Sequence, residues 1–457
     1  MNNYKIYLGL ITMVASLGGL LFGFDMAVIS GVLPFVEKQF SLTPLQEGWF
    51  VSSALVGCII GVSFSGDLSD RLGRKMLLFL SAFLFLISAI GCSLVAELNL
   101  LIAARLVGGI GVGIASIVVP LYLSEISPAA IRGRLVTFYQ LAITVGILLA
   151  YVTNSLLLGY SEQYAGTAGA GIFDLVYIAE VWRGMFSIGT VLALLFVLGL
   201  FFVPESPRWL IKKGRLKEGQ DILKKINDGR EEAISTEAEH NENGSYKELF
   251  TPKLRKALLL GILLPLFSQL SGINAIIYYG PSILHDAGID LSNSFLGQII
   301  FGLANLVFTF IAIWKVDQWG RRPLYLIGTV GATISLFITG LLFYLGLTSS
   351  IFLIISVTVF LACFAFSIGP LKFVVASEIF PTRIRGKALG LSIMVMWVAD
   401  TVMGQVTPIL LREAGTAATF WVFAFFCLVA FLTVYKLLPE TKGKSLEEIE
   451  TFWNEKK

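Results

Sequence analysis

Apolar stretches of about twenty residues follow one another along this chain, separated by short polar turns. About 20 mostly apolar residues are what a helix needs to cross the hydrocarbon core of a bilayer. Twelve stretches qualify, beginning near Tyr7, Gly48, Met76, Leu100, Leu135, Met185, Lys256, Ser294, Leu324, Ser350, Ala388 and Thr419. Lipid offers no partner to a backbone N–H or C=O, so each stretch is predicted as a helix and not as open sheet. The predicted fold class is therefore an all-α integral membrane protein with twelve transmembrane helices. The first stretch is too long for a cleavable signal peptide and lacks a small-residue cleavage site, so it is expected to be a retained helix. One long hydrophilic stretch, roughly 204–252, is rich in Lys, Glu and Leu and is predicted as a linker with short helices.

Composition agrees with the pattern. The 457 residues are 56% hydrophobic and 14% charged, against about 25% charged in a soluble chain, and mean hydropathy is +0.80. The net charge of +3 makes no case for a nucleic-acid partner; the placement of the cations is more informative. "DRLGRK" (70–75), "RGR" (132–134), the stretch 207–230, "GRR" (320–322) and "RIRGK" (383–387) follow spans 2, 4, 6, 8 and 10. Turns after odd spans carry mainly Lys38, Arg183 and Arg412. Positive charge marks the cytosolic side, so both termini are expected in the cytosol of a multi-pass cell-membrane protein. Cys58, Cys92, Cys363 and Cys427 all lie in apolar runs and are expected to be packing residues, not disulfides.

The chain also repeats itself. "DRLGRK" at 70 matches "DQWGRR" at 317, "SEISPAAIRGR" at 124 matches "SEIFPTRIRGK" at 377, and "PESPRWL" at 204 matches "PETKGKS" at 439. Six spans are thus duplicated, giving two pseudo-symmetric six-helix halves, 1–203 and 253–438, a linker over 204–252 and a tail over 439–457. Such halves suggest alternating access to a site near the midplane between them. An enzyme fits poorly. His240 and His285 are in loops, no metal cluster is expected, and the glycines of "GGIGVG" (108–113) fall inside span 4 after no strand, where close helix packing explains them. No cofactor is expected.

Together, "GDLSDRLGRK" (66–75), "PLYLSEISPAAIRGR" (120–134), "PESPRWL" (204–210), "QLSGINAIIYYG" (269–280) and "PETKGKSLEEIE" (439–450) resemble the sugar porters of the major facilitator superfamily over nearly the whole chain. They are similar both to bacterial proton-coupled pentose and hexose symporters and to animal facilitative glucose transporters. The resemblance implies that Asp70, Arg71, Arg74, Glu125 and Arg132 in the first half, and Asp317, Arg321 and Glu378 in the second, interlock at the cytosolic face. It also implies an extracellular gate at Tyr278 and Tyr279.

A sugar presents hydroxyl pairs, which suit amides and carboxylates, and an apolar ring surface, which suits aromatic faces. The resemblance puts Gln140, Gln269, Asn274, Asn305, Trp397 and Asp400 at sugar-contacting positions, with Phe22 and Phe373 as further lining. Gln269 and Asn274 are five apart, off one face of an ideal helix, but Gly272 with Pro281 permits a break that would turn both inward. The chain departs from the family pattern at Ser268, where a second glutamine is usual, at Phe373, where tryptophan is usual, and at Asp400, where asparagine is usual. Lys372 is an added intramembrane cation, either paired with Asp400 or facing a charged substrate such as a sugar acid. Ile147 takes the place of a glutamine of the xylose symporter, as in the glucose transporters, which points to a hexose.

Asp25 stands inside the first apolar run. An intramembrane carboxylate costs about 2.5–3.5 kcal/mol on insertion scales and usually marks a function. The resemblance pairs it with Arg105 and gives it the proton of a symporter. A carboxylate beside a guanidinium holds its charge, and one left alone in apolar surroundings takes up a proton. A second carboxylate of the xylose symporter is absent; Gly189 takes its place. The expected function is proton-coupled symport of a monosaccharide by a monomer in contact with lipid. The alternatives are a facilitative uniporter, a symporter of a sugar acid or polyol, and a sugar sensor, for which the segment after the last span is short.

Overall fold

The computed structural model describes residues 3–442 apart from 129–130, 168, 170, 227–245, 349–350 and 381. Twelve of the described helices are long and apolar enough to cross a membrane, and they are numbered here as spans 1 to 12: Tyr4–Phe40, Pro44–Leu72, Arg74–Leu94, Leu98–Ile126, Thr137–Tyr164, Val181–Leu200, Arg255–Asp286, Leu291–Lys315, Arg321–Tyr344, Ile351–Ala376, Gly386–Ala414 and Thr416–Leu437. Each begins within four residues of the start that the apolar pattern predicts. Most begin earlier, because a helix gathers its first turn from the polar boundary. Span 2 shows how: Thr43 accepts from the Gln46 backbone while Gln46 Oε1 accepts from the Thr43 N–H at 3.0 Å, with Pro44 in the first turn.

The described part of the linker holds three short α-helices, Pro207–Lys212, Leu216–Ile226 and Tyr246–Leu249. Ser206 caps the first, accepting from the Trp209 N–H. His240 and the rest of 227–245 lie outside the described residues.

By packing, the chain divides into two compact units. The first is Met1–Ala233 with Ile277–Ser282 and Asp290–Gly302; the second is Ile234–Ile276, Ile283–Ile289 and Leu303–Lys457. Two short pieces that the repeat assigns to the second half therefore pack with the first unit. Span 5 holds them there: Tyr151 Oη reaches the Ile277 carbonyl at 3.5 Å, and Ser292 Oγ donates to Glu162 at 3.1 Å.

Inside each unit the repeat is visible in the packing. Span 1 packs on span 5, 3 on 4 and 3 on 6 in the first; span 7 packs on 11, 9 on 10 and 9 on 12 in the second. The glycines of span 4 permit its closest approach. A Cβ on Gly109 would fall 1.9 Å from the Ala54 carbonyl, and one on Gly113 would fall 2.4 Å from that of Cys58. Close helix packing thus accounts for the "GGIGVG" run.

Candidate functional site

The turns between spans 2 and 3 and between spans 8 and 9 have the same construction. Gly73 and Gly320 adopt φ of 99° and 91°, a region that disfavours any side chain. A Cβ on either would also collide with a carboxylate, Glu205 at 2.4 Å or Glu440 at 2.7 Å. Glu205 accepts from the N–H groups of Arg74 and Lys75 at 3.0 and 3.1 Å. Glu440 does the same for Arg321 and Arg322 at 3.0 and 3.1 Å. Each carboxylate therefore sits on a helix N-terminus, where free N–H groups and the dipole favour an anion.

The arginine that opens each helix turns to a second carboxylate. Arg74 holds Glu125 through Nε and Nη2, both at 2.8 Å. Arg321 holds Glu378 at 2.8 Å. A hydroxyl completes each set: Ser206 donates to Glu125 at 2.5 Å and Thr441 to Glu378 at 2.6 Å. Asp70 pairs with Arg74 at 3.0 Å, and Lys212 lies 3.6 Å from Asp70. Arg71 is exposed, and the side chains of Arg132 and Asp317 lie outside the described residues. Glu205, Ser206, Glu440 and Thr441 are functional candidates that sequence reasoning missed. The repeated P-E-S/T segment was their signal, and it served only to mark the duplication.

In the first unit, Asp25 lies in the middle of span 1 and meets Arg105 of span 4, Oδ1 to Nη1, at 3.0 Å. The arginine is 2% exposed and the carboxylate 14%. Phe186 of span 6 lies under the guanidinium, 5.8 Å from ring centre to Cζ. Asp25 Oδ2 and Arg105 Nε are buried without a hydrogen bond among the described residues. Arg105 Nη1 also donates to the Asp25 carbonyl at 3.4 Å, but the carboxylate itself is held by one bond and not clamped in the two-bond fork that arginine and carboxylate can form. Gln140 and Phe22 are half-buried in this unit, and Tyr278 and Tyr279 are buried. Glu47, itself buried at the start of span 2, is a charged neighbour of Tyr279.

In the second unit, span 7 is two helices, Arg255–Leu270 and Ile273–Asp286. Gly272 makes the break with φ of 82°, and a Cβ there would strike Phe423 at 2.3 Å. Pro281, expected to share in the break, lies inside the second helix instead. The turn brings the two amides together. Asn274 Nδ2 donates to Gln269 Oε1 at 2.8 Å and to Asp400 Oδ1 of span 11 at 2.6 Å. Trp397, one turn before Asp400, is 1% exposed. Lys372 follows a π-helical turn, Phe364–Ile368, in span 10; its Nζ donates to Ser268 Oγ at 2.8 Å, and Asp400 is the opposite charge acting on it. Asn305 is buried in span 8, and the side chain of Phe373 lies outside the described residues. Two amides, a carboxylate, an ammonium and a hydroxyl thus occupy one buried region.

Twelve spans in two repeated halves, each with the same ion-pair turn, are the major facilitator fold. Among solved structures, the inward-open xylose transporter XylE from Escherichia coli superposes with a TM-score of 0.82 at 35% identity, covering 98% of this chain and 100% of that one. The family described as "Sugar (and other) transporter" matches residues 11–453. The arabinose-proton symporter of Bacillus subtilis is 42% identical over 97% of this chain and 94% of its own length. The D-xylose-proton symporter of E. coli is 36% identical over 98% and 96%. The chain belongs to the sugar transporter family of the major facilitator superfamily.

Proposed function

We propose that this protein carries a neutral monosaccharide across the cell membrane together with a proton, by alternating access, with both termini in the cytosol. The observation that carries this reading is the buried ion pair of Asp25 and Arg105. A membrane-embedded carboxylate held by one hydrogen bond to one arginine is costly as a structural element, yet it suits a group that must alternate between charged and protonated. One proton moving through 100 mV supplies about 2.3 kcal/mol, which supports roughly a 50-fold sugar gradient.

Gln269, Asn274 and Asp400 supply the donors and acceptors for sugar hydroxyls, with Trp397 as the apolar wall and Asn305 and Phe373 as further contacts. Lys372 balances the charge of Asp400, so the site suits a neutral sugar over a sugar acid. The two ion-pair turns, on the cytosolic face, stabilise the outward-open state, while Tyr278 and Tyr279 gate the other face. The named relatives take pentoses, whereas Ile147 favours a hexose. A panel of L-arabinose, D-xylose, D-glucose and myo-inositol in proteoliposomes, with and without an imposed pH gradient, tests the reading. At least one of these sugars should accumulate above its outside concentration only with the gradient. Equal uptake in both conditions would leave a uniporter.

A further inference from the structure

The ion pair leaves one side of Asp25 open. Next to it lies a cavity of about 20 Å³ in the first unit, whose lining includes Phe24, Asp25, Phe85, Ser88, Phe186 and Gly189. Ordered water needs about 10–15 Å³ and two to four polar partners. Two partners are on the wall. Asp25 Oδ2 is buried and carries no hydrogen bond among the described residues. Ser88, on span 3 and 3% exposed, brings a hydroxyl to the same space.

Two glycines make the space. A Cβ on Gly108 would fall 2.4 Å from Ser88 Oγ and 3.9 Å from Asp25 Oδ1, so the bare backbone of span 4 lets the hydroxyl approach the carboxylate. At Gly189 a Cβ would meet nothing nearer than Ala89 at 3.4 Å and Phe24 at 3.5 Å. No close contact forces glycine there, and its missing side chain keeps the cavity open. The charged and titratable groups around the space are Asp25 from span 1, Cys92 from span 3 and Arg105 from span 4.

We propose that this cavity is a hydration site through which the proton reaches Asp25, with Ser88 as the positioning residue that holds water against the carboxylate. The proposal rests on the symport reading. A hydronium ion entering the site gives its proton to the Asp25 carboxylate and remains as water; the neutral carboxyl then releases Arg105. Release of the proton reverses both steps, and Ser88 keeps its own proton throughout.

The test compares wild type, Ser88→Ala, Ser88→Thr and Gly189→Leu in proteoliposomes, with radiolabelled L-arabinose and D-glucose as probes. Uptake driven by a pH gradient is measured in H₂O and D₂O, beside sugar counterflow, in which no net proton moves. Ser88→Ala and Gly189→Leu should slow driven uptake about three- to tenfold relative to counterflow, the loss expected of one hydrogen bond on the proton's route. Their solvent isotope effect should rise, and Ser88→Thr should restore the wild-type ratio. An unchanged ratio in Ser88→Ala overturns the proposal even if Gly189→Leu does not fold. Wild-type protein that ignores the pH gradient for both probes overturns the symport reading, and this proposal with it.

Discussion

The two halves of the protein agree at the turns after spans 2 and 8 and differ in the middle of their helices. At those turns the same four parts recur: a left-handed glycine, an arginine, a glutamate on span 4 or 10, and a P-E-S/T segment that places a second glutamate on a helix N-terminus. Mid-span, the first half carries one ion pair with a buried oxygen left over. The second half carries a cluster of amides, hydroxyl and opposite charges. Duplication kept the device that holds helices together, while the interiors took separate work. Under the proposed symport, the carboxylate with one partner is the group that carries the proton. A cluster in which amide and ammonium are both engaged is suited to stay polar and present hydroxyl partners.

The largest effect that can break this division is at Asp25. Asp25→Asn should reduce accumulation from as much as about 50-fold to none, since asparagine keeps the shape but cannot titrate. Concentrative uptake under a pH gradient that matches wild type would place the proton elsewhere. The turns come next. Arg74 is more buried than Arg321, at 7% against 14% side-chain exposure, as is Glu125 against Glu378, at 12% against 22%. Removing one partner of a buried pair costs about 3–5 kcal/mol, and less as exposure grows. Arg74→Met should therefore lower the midpoint of thermal unfolding in detergent more than Arg321→Met does; the opposite order would show that burial does not set the strength of these pairs.

The second half is sharpened by smaller effects. Gln269→Ala and Asn274→Ala should each weaken sugar binding by about 1–3 kcal/mol by leaving hydroxyls unpaired, and normal affinity measured by calorimetry in both would remove the sugar from this cluster. Lys372→Met and Asp400→Asn should each destabilise. The double variant should lose less than their sum by about 0.5–3 kcal/mol, the range for groups that interact. Strict additivity would separate the two charges.

The sequence made the helices legible because lipid imposes one rule on every backbone, and an apolar run of the right length satisfies it. Asp25 and Arg105 were legible for the complementary reason: charges stand out where almost nothing is polar. The broken span 7 was readable from Gly272, though Pro281 proved to be accommodated within the second helix, where helix neighbours can re-satisfy freed backbone groups. Glu205 and Glu440 were not recognised, because a glutamate in a polar segment looks like ordinary surface until the fold brings a helix N-terminus to it. Ser88 was hidden more deeply. A serine in a span usually bonds its own helix, as Thr12, Ser53 and Ser93 do here. Only the cavity it shares with Asp25, with a glycine beside it on span 4, marks this one out.

The division of labour is tested most directly by the proton movement that sugar itself drives. Vesicles holding Asp25→Asn protein and a trapped pH-sensitive dye, with no imposed gradient, are given L-arabinose or D-glucose outside, while sugar exchange is followed in the same preparation. In wild type, sugar entry should carry protons inward and acidify the lumen. In Asp25→Asn, sugar should still exchange and the lumen pH should stay constant. Acidification by the Asp25→Asn protein at the wild-type rate per sugar would contradict the account.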